Sequence, residues 1–298
     1  MPQGVPPGGP KKKPWRKILY EKQAYPDNYT DHNIFLKDLK KNIDFHEVSF
    51  LEACLGANLV LQEFCTVVFF AVVYMYMVSR WIESWVLLYG MTFTGFVCFV
   101  FYRCIRLVKT PQEFTIDRKK HSLGHDVRTV LTFIAFGQLF SPVLHTLTDT
   151  ISTDTIHTMA FLMFIVHLVF FDYGVPAAIV SKSVSLSAAI FASICLASRL
   201  ASASEAFVLL ALATQLFALS PILRNLFNHH PIITAILFLI DLHFLLLISS
   251  VGAVLFLSAV FLINLICPVL FVKYQKHKDN IYGPWDEAVV KDVDNIRF

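Results

Sequence analysis

The run ANLVLQEFCTVVFFAVVYMYMV, residues 57–78, holds a single charged side chain, Glu63. A helix crosses a bilayer with about 20 mostly apolar residues, and this run is long enough to do so. The pattern recurs along the whole chain. Of 298 residues, 56% are hydrophobic and 16% charged, against roughly 25% charged in soluble domains. The fold class that follows is all-α, a polytopic membrane helical bundle.

Eight spans are predicted, near 57–78, 85–105, 127–147, 156–172, 177–198, 205–223, 231–249 and 250–272. The last division rests only on Ser249, Ser250 and Gly252, so the alternative count is seven. The chain divides into an amino-terminal tail (1–50), the bundle (51–272) and a carboxyl-terminal tail (273–298). No apolar stretch follows the basic start MPQGVPPGGPKKKPWRK, so no cleavable signal peptide is expected.

Charge predicts orientation. With eight spans and a cytosolic amino terminus, Lys and Arg number nine in the first tail, seven in 103–128, one (Arg224) in 224–230 and five in the last tail. The opposite side holds Arg80 and Arg199, and Lys182 falls inside a span. This is the positive-inside bias, and it predicts both termini in the cytosol. In the first tail, Phe35, Leu36, Leu39 and Ile43 recur at helical spacing among lysines. They predict an amphipathic helix on the membrane surface or docked on a partner.

Between two apolar runs stands TLTDTISTDT, residues 146–155. Asp149 and Asp154 are five apart, not the Asp-x-Asp spacing of a metal-bound nucleotide sugar. Ser152, Thr153 and Asp154 are helix N-cap types. The reading is a capped, hydrated turn on the lumenal side, without catalytic residues.

FFDYGVP (170–176) is more suggestive. Asp172 ends one span, Gly174 and Pro176 make a turn, and Lys182 follows five residues after Ala177. That puts the lysine about 7–8 Å deep, close enough to reach the cytosolic surface. Asp172 and Lys182 can pair with one another or meet an anionic lipid headgroup, and both are candidates for the latter. The deeper ionisable residues Glu63, His167, Asp241 and His243 are costly in a membrane. Each is expected to face other helices as polar packing, with Asp241 and His243 on different helix faces.

The six cysteines lack CxxC or zinc-like spacing, and most are expected to be small buried hydrophobes. No metal or other cofactor is implied, and no nucleic-acid partner. The extramembrane pieces are too short for a nucleotide-binding α/β domain, whose core needs roughly 100 residues. A Gly-rich phosphate loop is absent from the sequence. In NIYGPWDEA (280–288), Pro284 ends any helix before Trp285. A tryptophan in a short polar tail enters either the headgroup belt or a partner chain. Asp286 and Glu287 beside it disfavour the negative cytosolic leaflet, so the three residues are partner-contact candidates.

The stretches KILYEKQAYPDNYTD (17–31), FSPVLHTLTDTISTDTIHTM (140–159), HLVFFDYG (167–174), IFASICLASRL (190–200) and NIYGPWDEA resemble the PIG-C family, the C-subunits of phosphatidylinositol N-acetylglucosaminyltransferase. The resemblance covers nearly the whole chain in order and is weakest over 1–14 and 103–128. It implies a multi-pass endoplasmic-reticulum membrane protein. It also implies a subunit of the complex that transfers N-acetylglucosamine from UDP-N-acetylglucosamine to phosphatidylinositol, the first step of glycosylphosphatidylinositol (GPI) anchor synthesis. In that family catalysis belongs to the PIG-A subunit, so this chain is expected to scaffold, and to help position the acceptor lipid, without being catalytic by itself. The competing reading from another class is a multispanning lipid or solute transporter. Matching pairs of broken helices, which that reading favours, are not found in the sequence.

Overall fold

A computed structural model describes residues 22, 24–26, 29, 40–41, 46–109, 123–146, 150–174, 180–226, 231–278 and 281–282. The chain divides into two units, Met1–Val48 with Lys273–Phe298, and Ser49–Val272. The second unit is an all-helical bundle. Among the described residues it contains α1 (Phe50–Val78), α2 (Ser84–Lys109), α3 (Leu123–Thr146), α4 (Thr153–Phe170) and α5 (Lys182–Ala197). Next comes α6, built from an α-helix Ala203–Ala213, a π-helical turn Thr214–Leu219 and an α-helix Ser220–Leu226. It is followed by α7 (Pro231–Ile248) and by α8, which is Ser250–Phe261, a π-helical turn Leu262–Ile266 and Cys267–Tyr274.

Six of these helices, α1, α2, α4, α6, α7 and α8, are long and apolar enough to cross a membrane. The remaining two fall where spans were predicted but differ in character. Helix α5 has only 16 residues, and α3 carries Pro142 within its last turns. The chain is a multi-pass helical membrane protein.

Helix α1 starts earlier than hydropathy indicates, because Ser49 and Glu52 form a capping box. The Ser49 hydroxyl accepts from the Glu52 amide, and the Glu52 carboxylate accepts from the Ser49 amide at 2.9 Å. The helix then runs through the centre of the bundle, packing on α4, α6, α7 and α8. Of its apolar window 61% is buried, against 6% for α2. Two faces of α1 do different work. Leu61 and Cys65 join Phe256 of α8 and Phe238 of α7 in one cluster, while Phe70 packs edge-on against Phe164 of α4 and Phe217 of α6.

Small residues set the close approaches elsewhere. Gly137 and Ser141, four apart on α3, form a small-xxx-small face. A Cβ on Gly137 would lie 2.7 Å from the Phe207 ring of α6, and the Ser141 hydroxyl donates to the Ala203 carbonyl. Helix α5 lays Ala188, Ala189, Ala192 and Ser193 into the interior.

One non-helical residue, Ser249, separates α7 from α8. Its extended backbone (φ −158, ψ 120) breaks the helix, and its hydroxyl caps the next one by accepting from the Gly252 amide. The two helices fold back on each other, with Phe238 stacked on Phe256 at 5.6 Å. The count is eight helices rather than seven among the described residues.

In the polar stretch 146–155, the described residues 150–155 form a turn capped at the start of α4. Ser152 accepts from the Thr155 amide, and Asp154 sits exposed in the first turn of α4. Asp149 lies outside the described residues.

In the first unit, Lys40–Lys41 pair antiparallel with Ile281–Tyr282. Lys40 and Lys41 fall within the stretch where an amphipathic helix is expected, and these two residues are extended. The rest of that stretch lies outside the described residues, as do Trp285, Asp286 and Glu287. Gln275 ties the ends of this unit: its carboxamide oxygen accepts from the Val48 amide at 3.0 Å, and its nitrogen donates to the Val48 carbonyl at 3.1 Å.

Candidate functional site: a buried ion network and the turn beside it

Glu63 and Thr66 lie three apart on the α1 face that meets α4 and α6. The Glu63 carboxylate, fully buried, bridges two partners. Its Oε1 is 3.0 Å from His167 Nε2 of α4, and its Oε2 is 2.5 Å from Arg224 Nη2 of α6. Arg224 also donates to the Thr66 hydroxyl at 3.3 Å, which in turn donates to the Gln62 carbonyl at 2.9 Å. On its other side, His167 Nδ1 lies 2.8 Å from the Ser185 hydroxyl and 3.0 Å from the Ser185 carbonyl of α5. Four helices thus meet in one chain of polar contacts. The Phe217 ring stands edge-on to the His167 ring at 5.1 Å, with Phe171 edge-on at 5.5 Å. The buried Glu63 charge is tolerated because both carboxylate oxygens have partners, although Arg224 Nε has none among the described residues.

The order Ser185–His167–Glu63 has the contacts of a nucleophile, a base and an orienting acid. It does not have the access. Ser185 is 2% exposed, and its hydroxyl also lies 3.2 Å from the His167 carbonyl. The network is a clamp between helices.

The sequence puts Arg224 in a loop, because it closes an apolar run. The structure buries it in α6, where the guanidinium neutralises Glu63. Asp241 is fully buried, and its carboxyl faces α1 beside the Cys65 thiol. His243 lies on the outside of this chain. Two residues on a helix are about 200° apart, so the face that seats Asp241 leaves His243 on the exterior, exposed and touching only the neighbouring Phe244 ring among the described contacts. Of the cysteines, Cys65 and Cys195 are buried as expected, whereas Cys104 and Cys267 are exposed on the apolar exterior. Among the described residues, no three His, Cys, Asp or Glu side chains gather as a metal site would require.

The turn between α4 and α5 lies just beyond the clamp. Helix α4 ends at Phe170, and Gly174 adopts φ +80, a left-handed conformation that glycine takes without strain. Its amide donates to Asp172 Oδ1 at 2.9 Å, and Lys182 Nζ is 3.0 Å from Asp172 Oδ2. The Gly174 amide first, and Lys182 second, hold the Asp172 carboxyl below its usual range. Tyr173 anchors the turn by donating to the Leu168 carbonyl at 2.8 Å. Burial, and then the Glu63 charge, push its phenol up.

Lys182 is not 7–8 Å inside a span. Ser181 is extended and caps α5, so Lys182 is the first helical residue and its side chain is 80% exposed. An open groove of about 440 Å³ lies between α4 and α5. Met163, Val166, Val184 and Phe191 line it, with the Ser183 and Ser187 hydroxyls.

Comparisons with known proteins place this architecture in a family. Residues 15–286 match the phosphatidylinositol N-acetylglucosaminyltransferase family GPI2. The chain is 40% identical to the phosphatidylinositol N-acetylglucosaminyltransferase C-subunit of Bos taurus over 294 residues, covering 95% of each protein. It is 39% identical to the protein of the same name from Homo sapiens, again covering 95% of each. Identity to the phosphatidylinositol N-acetylglucosaminyltransferase GPI2 subunit of Schizosaccharomyces pombe is 31%, over 94% of this chain and 88% of that protein. No solved structure matches the chain significantly. With a family match across nearly its full length and relatives of this identity and coverage, the chain belongs to the GPI2 family, that of the phosphatidylinositol N-acetylglucosaminyltransferase C-subunits.

Proposed function

We propose that this chain is the membrane-embedded, non-catalytic subunit of a complex in the endoplasmic reticulum. The complex transfers N-acetylglucosamine from UDP-N-acetylglucosamine to phosphatidylinositol, opening GPI-anchor synthesis. The chain holds the catalytic PIG-A subunit over the acceptor and positions the acceptor lipid at the turn between α4 and α5. The names of its relatives support the reaction and the subunit role.

The observation that carries lipid positioning is the Asp172–Lys182 pair, with Lys182 exposed at the start of α5 and the next residue, Ser183, lining the groove between α4 and α5. An acyl chain fits the apolar lining. In the adjoining turn, an ammonium and a carboxylate stand together with room around the ammonium. A phosphodiester accepts from Lys182, and a ring hydroxyl of a polyol headgroup donates to Asp172. An ion pair suits such a headgroup better than a lone lysine, which reads only the phosphate. The positive-inside bias puts this turn at the cytosolic leaflet.

The test is the assembled complex carrying Lys182→Ala. The expected result is lower transfer at limiting phosphatidylinositol, with unchanged co-purification of the other subunits. Joint loss of assembly and activity would overturn the headgroup role and leave a structural pair. Rescue of assembly by the swapped Asp172→Lys, Lys182→Asp protein would then identify that pair. For the carboxyl-terminal tail, Trp285 with Asp286 and Glu287 is proposed as a partner anchor. Trp285→Ala is expected to weaken subunit association without altering membrane insertion.

A further inference from the structure

The exterior of α7 carries one side chain that does not suit lipid. His243 is exposed and has no hydrogen bond among the described contacts. It lies six residues before Ser249, where the helix ends, which is about 9 Å along the axis. The 18 residues of α7 span about 27 Å, close to the roughly 30 Å hydrocarbon thickness. The helix end therefore sits near the interface, and the imidazole lies well inside the hydrocarbon. An imidazole is too short to reach water from that depth, and polar groups left bare to lipid are costly.

The residues around it form a seam. Ile236, Leu239, His243 and Leu246 follow one another at spacings of three, four and three. The three aliphatic members are 53%, 62% and 57% exposed. This is the spacing of a left-handed helix–helix packing stripe, with one polar position at its centre. The opposite face of α7, with Thr234 and Asp241, is already buried.

We propose that this seam docks a transmembrane helix of a separate subunit, and that the docked helix presents a hydroxyl, carboxamide or carboxyl group to His243. A hydrogen-bonding side chain at that depth specifies which helix binds and at what register, as a single polar core residue does in coiled coils. The seam's residues are large, and none is Gly, Ala or Ser, so contact there rests on side-chain packing and on the histidine rather than on close backbone approach. The relatives are named as subunits, which points to another subunit rather than a second copy. The inference rests on the chain acting as a subunit, but its test does not depend on transferase activity.

In complex extracted from native membranes, His243→Leu is expected to lower recovery of the bound membrane subunit about three- to thirty-fold. His243→Gln, which keeps a hydrogen-bonding group, is expected to retain most of it. Single cysteines at Leu239→Cys and Leu246→Cys should each form a cross-link to the same foreign subunit. Three results would overturn the proposal: wild-type recovery with His243→Leu, adducts at the mass of two copies of this chain, or no adduct from either cysteine. Loss of transfer activity with these adducts intact would instead count against the proposed reaction and leave the seam standing.

Discussion

Glu63 and Arg224 are 161 residues apart in the chain, yet their side chains meet at 2.5 Å in the interior of the bundle. The contact joins the central helix α1 to the end of α6, and His167 extends it to α4 and α5. Removing one member of such a pair leaves the other charged and buried without compensation.

Arg224→Leu is therefore expected to destabilise the bundle by about 3–5 kcal/mol, read from denaturant unfolding in detergent. Replacing both members, Glu63→Leu with Arg224→Leu, removes the stranded charge and should recover most of that loss. A double variant as unstable as Arg224→Leu would mean that His167, rather than Arg224, is the partner on which Glu63 depends.

The Asp172 turn has a defined pH dependence. Its carboxyl titrates below the ordinary value of 3.8, because the ionised form accepts from Gly174 and pairs with Lys182. A depressed carboxylate contributes stability above its unfolded value and loses it as pH falls through the folded one. The turn should thus be unchanged from neutral pH down to mild acid and open only below the ordinary carboxylate range. Deuterium exchange at the Gly174 amide reports this. After correction for the intrinsic rate, protection should vanish at low pH in the wild type and be absent at pH 7 in Asp172→Ala.

The helices are legible because a bilayer imposes a length on each apolar run, and hydropathy measures that length directly. Ser152 is legible as a cap from its type and place. The clamp is not. Glu63, His167 and Arg224 share no spacing, and only the packing of α1, α4 and α6 brings them together. Arg224 reads as a loop residue because hydropathy locates where an apolar run stops, not where the helix carrying it stops. The start of α5 is obscured for a related reason: the apolar residues before Ser181 resemble a span, and a single extended backbone at the cap is invisible to composition. Spacing alone puts Asp241 and His243 on different faces, but the sequence does not say which face the rest of the chain covers.

Two glycines separate packing from propensity. A Cβ at Gly137 would lie 2.7 Å from Phe207 Cε2, and that ring is itself buried. Gly137→Ala should cost about 1–3 kcal/mol through overpacking between α3 and α6. At Gly95 the nearest atom is the Gln215 side-chain nitrogen, 3.4 Å away on a flexible amide. Gly95→Ala should be neutral or stabilising by up to about 1 kcal/mol, from helix propensity alone. Thermal unfolding of the two variants side by side checks the contrast. Equal destabilisation would mean that α3 does not approach α6 through Gly137.

Orientation gives the last prediction. Lys and Arg gather in the two tails and the 103–128 segment, while the opposite side of the predicted topology carries Arg80 and Arg199. Exposed Trp81 and Trp85 flank the turn between α1 and α2, where an aromatic belt is expected at the far interface. The sequence has one Asn-x-Ser/Thr acceptor, Asn28-Tyr29-Thr30, in the tail that this bias places in the cytosol. Acceptors of this kind are modified in the secretory lumen, so Asn28 should carry no glycan. An acceptor engineered into a lengthened 148–154 loop should be modified, because the same bias predicts that turn on the opposite side. The readout is a mobility shift removed by glycosidase. A glycan on Asn28 would invert every span and move the Asp172–Lys182 turn to the lumenal leaflet, away from a cytosolic sugar-nucleotide donor.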